Sequence, residues 1–166
     1  MPERMEKTAR FAGSPGRLVR FEKAAKEIAR AIKMNRPKEQ GGGCRPVVVE
    51  GIRDENAVRA LGFTGPIEKV NRGWDRSRLI AYLHKTYAEA EVNEGPRVIL
   101  LMDWDRTGGR LQTSIRDRLM ALDVRVDEGL RNTLLRTLKP EGRTVESLLP
   151  HASALEPLIR DFLSKL

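Results

Sequence analysis

The run Val98-Ile99-Leu100-Leu101-Met102 constrains the fold more than any other part of the chain: it is apolar at every position and stops at Asp103-Trp104-Asp105. A strand with one face in water alternates apolar and polar residues. A strand apolar throughout is covered on both faces, the condition of a parallel sheet between helices. Val47-Val48-Val49 repeats the pattern and ends in Glu50-Gly51. Ile67 to Asn71 and Val124 to Val126 read as further short strands. Between them the period changes. Asp54 is placed to cap a helix through Leu61; Asp75 or Ser77 opens one carrying Leu79, Ile80, Leu83 and Tyr87; Leu111, Ile115, Leu119 and Leu122 mark a third. Weaker helical patterns cover 130–138 and 153–165. The expected fold class is α/β, a mostly parallel central sheet flanked by helices.

The sequence upstream of Val47 differs. Residues 1–45 hold 12 basic and 5 acidic side chains, whereas residues 46–166 hold 19 and 18, so the first segment carries most of the net charge of +8. Ser14-Pro15 reads as a helix start. Leu18, Phe21, Ala25, Ile28 and Ile32 form one apolar stripe, with Arg20, Lys23, Lys26, Arg30 and Lys33 off it, and the helix is expected to end near Met34. Residues 38–45 (KEQGGGCR) read as a flexible connector. They are not a phosphate loop, because they precede a strand and lack the closing Gly-Lys-Ser/Thr. The expected organisation is a basic arm and helical extension over 1–45, a core over 46–128, and a C-terminal helical completion of the same domain over 129–166.

Several classes drop out. No run approaches the ~20 apolar residues of a membrane span, and the first residues lack the apolar stretch of a secretory signal. A lone Cys44 excludes an internal disulfide and a cysteine-based zinc site, and His84 and His151 are too separated for a zinc-protease spacing. A cytoplasmic location is expected. Arginines outnumber lysines 22 to 9. The guanidinium fork suits phosphate, which points to an anionic partner.

In open parallel sheets ligands gather at the carboxyl ends of the strands. Here those ends carry Glu50, Asp103 and Asp105. Buried carboxylates are costly unless a cation or donors meet them. If strand alternation continues, Asp103 and Asp105 point the same way. Oxygen donors without sulfur or imidazole suit Mg²⁺ or Mn²⁺. A helix opens directly afterwards, and free amides at Gly108 and Gly109 are expected to offer an anion site beside the metal.

VVVEGIRDENAVRAL resembles the first motif of the Toprim domain, an apolar strand ending in Glu-Gly before a helix. LLMDWDRTGGRL resembles its second, an apolar strand ending in Asp-x-Asp with a glycine opening the next helix. Asn71-Arg72-Gly73 falls where the family often places a glycine-containing turn. The resemblance spans about residues 46–128, and the small size is similar to that of the short archaeal Toprim proteins. It implies a Rossmann-like sheet, with Glu50 as general acid or base or as a shared metal ligand. Asp103 and Asp105 would bind Mg²⁺, and Gly51 and Gly73 would let the backbone approach phosphate. Arg53 and Arg72 follow the motif glycines and Arg106 and Arg110 flank the acids; each is a phosphate-contact candidate, with a surface salt bridge as its alternative.

The resulting expectation is a Mg²⁺-dependent phosphoryl-transfer protein acting on nucleic acid, most simply a nuclease of DNA or RNA. The alternatives are a non-catalytic nucleic-acid-binding subunit of a repair or RNA-processing complex, which adds a protein partner, and primase-like nucleotidyl transfer. Asp103 to Thr107 also resembles the opening of haloacid-dehalogenase phosphatases. Against that stand Arg106, where those enzymes usually carry glycine, and the missing downstream acid pair. A response-regulator receiver lacks its paired acids here. Trp74 reads either as a nucleic-acid contact or as loop packing, Trp104 as packing beside the site with base stacking as its alternative, Tyr82 and Tyr87 as packing residues, and Glu146 as structural.

Overall fold

The computed structural model describes residues 16–88 and 95–166. Strands β1 (Val47–Val49), β2 (Ile67–Lys69), β3 (Val98–Leu100) and β4 (Val126–Asp127) form one sheet in the order β2-β1-β3-β4, with every pairing parallel. The helices are α1 (Arg17–Asn35), α2 (Ile52–Leu61), α3 (Arg76–Tyr87), α4 (Arg106–Met120), α5 (Gly129–Thr137) and α6 (Ala152–Leu163). This is the expected α/β, Rossmann-like arrangement. β1 and β3 bury every residue, and strand alternation shares them between two cores. Val47, Val49, Ile99 and Leu101 face a core built with α1, α2, α5 and α6. Val48, Val98, Leu100 and Met102 face a smaller one built with α3 and α4.

Helix α1 packs its apolar stripe into the helical layer on one face of the sheet. Phe21, Ala24, Ala25, Ile28, Ala29, Ala31 and Ile32 are fully buried in the larger core, and the helix packs against α5 and α6. The alanines widen the contact face beyond the stripe of larger residues. The Ser14-Pro15 helix start lies outside the described residues. The helix follows Gly16, in the left-handed region, and runs one residue past Met34.

The 38–45 segment is not a flexible connector. After a short 3-10 turn (Lys38–Gln40), the amides of Gly41, Gly42, Gly43, Cys44 and Arg45 donate to the carbonyls of Lys38, Pro37, Lys33, Arg36 and Met34. The chain thus wraps the end of α1, and a side chain at Gly42 would collide with the Arg36 carbonyl. Fully buried Asn35 closes the wrap. Its Nδ2 donates to the carbonyls of Arg45 (2.7 Å) and Pro66 (2.9 Å), and its Oδ1 accepts the Gly65 amide (2.9 Å). A turn whose hydrogen bonds are all internal is order that composition alone does not reveal.

Candidate active site

Chain order and sheet order diverge between β1 and β3. From β1 the chain goes out to β2, then returns across β1 to β3. That reversal opens a crevice at the carboxyl ends of the two strands. Glu50 follows β1 and Asp103 follows β3 closely, and the Glu50 carboxylate accepts the Asp103 amide at 3.2 Å. Ladder bonds continue past β2, where the Val70 and Asn71 amides donate to the Val49 and Glu50 carbonyls, both at 2.9 Å. Glu50 is therefore held from both neighbouring segments.

Glu50, Asp54 and Asp103 line a polar cleft of about 430 Å³, together with Gly51, Ile52, Arg53, Lys69, Asn71 and Glu146. Asp54 caps α2 from its third position, as the acidic half of a capping box, while the N-cap residue itself is Gly51. It sits in the first turn and its carboxylate reaches back to the Gly51 amide at 3.0 Å. Asp103 Oδ1 accepts the Val145 amide at 2.8 Å, which fastens the C-terminal segment to the cleft wall. Asp105 lies just beyond as the N-cap of α4, its Oδ1 accepting the Gly108 amide at 2.7 Å.

The acids are crowded. Burial pushes the Asp103 carboxyl up to about 6; the Val145 amide opposes this, and the charges of Glu50, Asp54 and Asp105 add to it. Burial also raises Glu50, opposed by the Asp103 amide and reinforced by Asp54 and Asp105. One guanidinium stands close behind them. Arg131, on α5, donates to the carbonyls of Met102 (3.1 Å) and Asp103 (2.9 Å). Burial lowers its own pKa, while Glu128, Asp103, Asp105 and Glu50 pull it back up.

This donor set fits a hard divalent cation held loosely. Among the described residues no three acid, histidine or cysteine side chains converge as a ready-made metal cage. β3 ends at Leu100, so strand alternation does not govern Asp103 and Asp105, and their carboxylates engage different amides. The expected convergence through alternation is corrected accordingly. Mg²⁺ needs no such cage, because it commonly takes one or two carboxylates and fills its octahedron with water and substrate phosphate.

The free amides expected at Gly108 and Gly109 are also corrected. The first donates to the Asp105 carboxylate and the second to the Asp105 carbonyl. Gly108 has a packing reason instead, since a side chain there would collide with the Asp103 carbonyl. Gly51 is extended, with no tighter neighbour than Asn71 Nδ2 at 3.9 Å from an added Cβ, so its openness faces the cleft. Gly73, at φ 78, is fixed by its turn.

Of the arginines, Arg53 lines the cleft and pairs with Glu146 at 3.7 Å. Arg106 and Arg110 are exposed at the start of α4. Arg72 does not reach the cleft. It donates to Glu68 at 2.9 Å and lies over the rings of Trp74 and Tyr82. Glu68 also accepts from the Tyr82 and Tyr87 hydroxyls, each at 2.6 Å. Trp104 is a packing residue, nearly buried, its indole donating to the Gly142 carbonyl at 2.8 Å.

Sequence reasoning missed Asp54 as a cleft acid, Lys69, Asn71, Arg131 and the Val145 amide. Asp54 and Lys69 lie within a turn of motif residues and could have been included on spacing. Arg131 and Val145 come from segments whose approach only the fold reveals.

Fold and site together define an α/β protein with a carboxylate-lined cleft at the switch point of a parallel sheet. By sequence the chain belongs to the UPF0292 family. It is 34% identical over 106 residues to the UPF0292 protein of Thermococcus gammatolerans, covering 61% of this chain and 69% of that protein. It is 33% identical over 102 residues to that of Thermococcus onnurineus, again covering 61% and 69%. The Methanosarcina barkeri protein is 26% identical over 142 residues, 84% of this chain and 85% of that one. These organisms are archaea, in keeping with the archaeal character expected from size. No family model matches the chain. A solved structure of a protein from Aquifex aeolicus shares the fold, with a TM-score of 0.51 at 22% identity over 74% of this chain and 93% of that one. No helix among the described residues is long and apolar enough to cross a membrane.

Proposed function

We propose that the chain is a Toprim-type, Mg²⁺-dependent phosphoryl-transfer protein that acts on nucleic acid as a nuclease of DNA or RNA. The observation carrying this reading is the contact between the Glu50 carboxylate and the Asp103 amide. It joins the ends of the two strands bearing the Toprim-like motifs inside one acid-lined cleft. Asp103 and Asp105 are the residues to hold the cation, with Glu50 beside them. When bound, Mg²⁺ supplies charge stabilisation at a phosphodiester. Glu50 moves the proton, its pKa raised by burial and by the neighbouring acids in the metal-free site. Arg53 and Lys69, on the cleft wall, hold the phosphate. Arg131 braces the Asp103 backbone from behind.

One observation favours a second reading, a non-catalytic nucleic-acid-binding subunit. The Asp105 carboxylate already serves as a helix cap, leaving Asp103 and Glu50 as the acids at the strand ends themselves. End-labelled RNA and DNA, incubated with the protein in Mg²⁺, Mn²⁺ or EDTA, separate the two. EDTA-sensitive cleavage is expected. Binding without turnover in either metal and on both substrates transfers the assignment to the second reading, and neither binding nor turnover overturns both.

A further inference from the structure

The other end of the sheet carries the opposite charge. Arg45 lies just ahead of β1 and Arg97 immediately ahead of β3, and these strands are neighbours. Arg45 is only 9% exposed. Its guanidinium has no hydrogen-bond or ion-pair partner among the described residues, and burial and the Arg97 charge both lower its pKa. Among the described residues, Arg97 Nη1 is buried with no hydrogen-bond partner. A buried guanidinium cannot shed its proton, so an unpaired one is a standing cost to the fold.

Capping of α1 does not offset that cost. A cation at the end of α1 could serve as a cap, but the Ile32, Lys33, Met34 and Arg36 carbonyls already accept backbone amides. The neighbouring Arg30 is different, being paired with Glu27 at 2.5 Å and Asp127 at 3.0 Å. Arg45 is nonetheless held firmly. Its amide donates to Met34 and its carbonyl accepts from Asn35. Cys44, just before it, sits at φ 54, a left-handed conformation that a non-glycine residue keeps only when its surroundings enforce it.

Arg45, Lys33 and Arg30 line a cleft of about 440 Å³, walled by Met34, Gly41 to Gly43 and Gly95-Pro96. That volume lies within the range of small-molecule sites and exceeds the needs of a bare phosphate. We propose that this cleft binds a phosphate group carried on a nucleotide-sized body, with the Arg45 guanidinium and the Lys33 ammonium taking the phosphate and the Met34 and glycine carbons taking the body. A free nucleotide and the terminal nucleotide of a strand share this chemistry. The site lies at the opposite strand ends from Glu50 and does not rest on the nuclease reading.

The test is calorimetric titration of the full chain with adenosine, adenosine monophosphate, and a short oligonucleotide with or without a 5′-phosphate. Adenosine monophosphate is expected to bind at least tenfold more tightly than adenosine. Arg45→Met and Lys33→Met should each remove at least tenfold of that affinity while leaving Mg²⁺ affinity unchanged. A terminal nucleotide as the natural ligand shows as a 5′-phosphorylated oligonucleotide outcompeting both adenosine monophosphate and its unphosphorylated form; the reverse order assigns a free nucleotide. Arg45→Met should also raise the melting temperature in phosphate-free buffer, because it removes an unpaired buried charge. Equal binding of adenosine and its monophosphate, unchanged affinity in both variants, or a lower melting temperature for Arg45→Met overturns the proposal. Should Arg45→Met fail to fold, Lys33→Met and Arg45→Lys decide it by the same affinity criterion.

Discussion

Asp103 Oδ1 accepts the Val145 amide at 2.8 Å across 42 residues of sequence, and Val145 is fully buried. One acid of the cleft is thus also the anchor of the C-terminal segment. Its two roles separate by substitution. Asp103→Asn keeps an acceptor oxygen and removes a charge crowded by Glu50, Asp54 and Asp105, so the metal-free protein should be at least as stable as wild type in urea. Asp103→Ala leaves the Val145 amide buried and unpaired, at a cost of about 1–3 kcal/mol. Equal stability of the two variants would show that the contact carries no weight.

Metal and proton chemistry separate in the same way. Glu50→Gln retains an oxygen facing the Asp103 amide but no longer accepts or gives a proton. Cleavage should fall to background while calorimetric Mg²⁺ affinity stays within a few-fold of wild type. Asp103→Asn with Asp105→Asn should abolish Mg²⁺ binding. Wild-type turnover by Glu50→Gln would remove Glu50 from the reaction, and unchanged Mg²⁺ affinity in the double variant would place the ligands elsewhere.

The pH dependence has a definite sign. The Asp103 carboxyl is pushed up to about 6 in the folded chain, above an unfolded value of about 3.9. Between these values the folded protein holds a proton that the unfolded chain has released. Stability contributed by this group is therefore present below about 4, declines as pH rises to about 6, and is flat above. In EDTA, the stability of wild type minus that of Asp103→Asn should follow this curve. Mg²⁺ should raise the melting temperature more at pH 7.5 than at pH 5, where the proton competes for the carboxylate. A flat difference curve would show that Asp103 is not perturbed.

The sheet was legible because β1 and β3 are buried on both faces, and burial on both faces leaves no polar position to confuse the pattern. Glu50, Asp103 and Asp105 were legible as acids at strand ends. Glu68 was not. It is a buried acid inside β2, made tolerable by Tyr82 and Tyr87 from α3 and by Arg72. Burial alone would raise its pKa; those hydrogen bonds more than offset this and hold it low. Such compensation arises from distant segments, so a local reading sends Arg72 to the cleft and the tyrosines to plain packing. Asn35 and the wrapped 38–45 turn escaped for the same reason: glycine content reports backbone freedom, not the hydrogen bonds that remove it.

The glycines divide by what surrounds them. Gly108→Ala drives a methyl into the Asp103 carbonyl, so it should destabilise the fold by about 1–3 kcal/mol, as overpacking does. Gly51→Ala meets only Asn71 at 3.9 Å in an extended backbone. It should leave the melting temperature unchanged while weakening nucleic-acid binding, because the methyl projects where a phosphate would approach. Unaltered binding by Gly51→Ala would take Gly51 out of the interface.

The basic face of α1 is tested by charge removal, because deleting residues 1–40 would take out the core residues Phe21 to Ile32. Not all of its cations are available. Arg20 is bound to Glu141 at 2.5 Å, Arg17 lies 3.7 Å from the same carboxylate, and Arg30 is held by Glu27 and Asp127. Lys23 and Lys26 are exposed and share one surface depression with Arg136 of α5. If that surface contacts phosphates, each neutralised charge removes about 0.7–0.9 from the slope of log affinity against log salt. The Lys23→Gln, Lys26→Gln, Arg136→Gln triple variant should therefore bind nucleic acid with a slope reduced by about 2 to 3, at an unchanged melting temperature. An unchanged slope would confine nucleic-acid contact to the far side of the molecule, around the cleft at the carboxyl ends of β1 and β3.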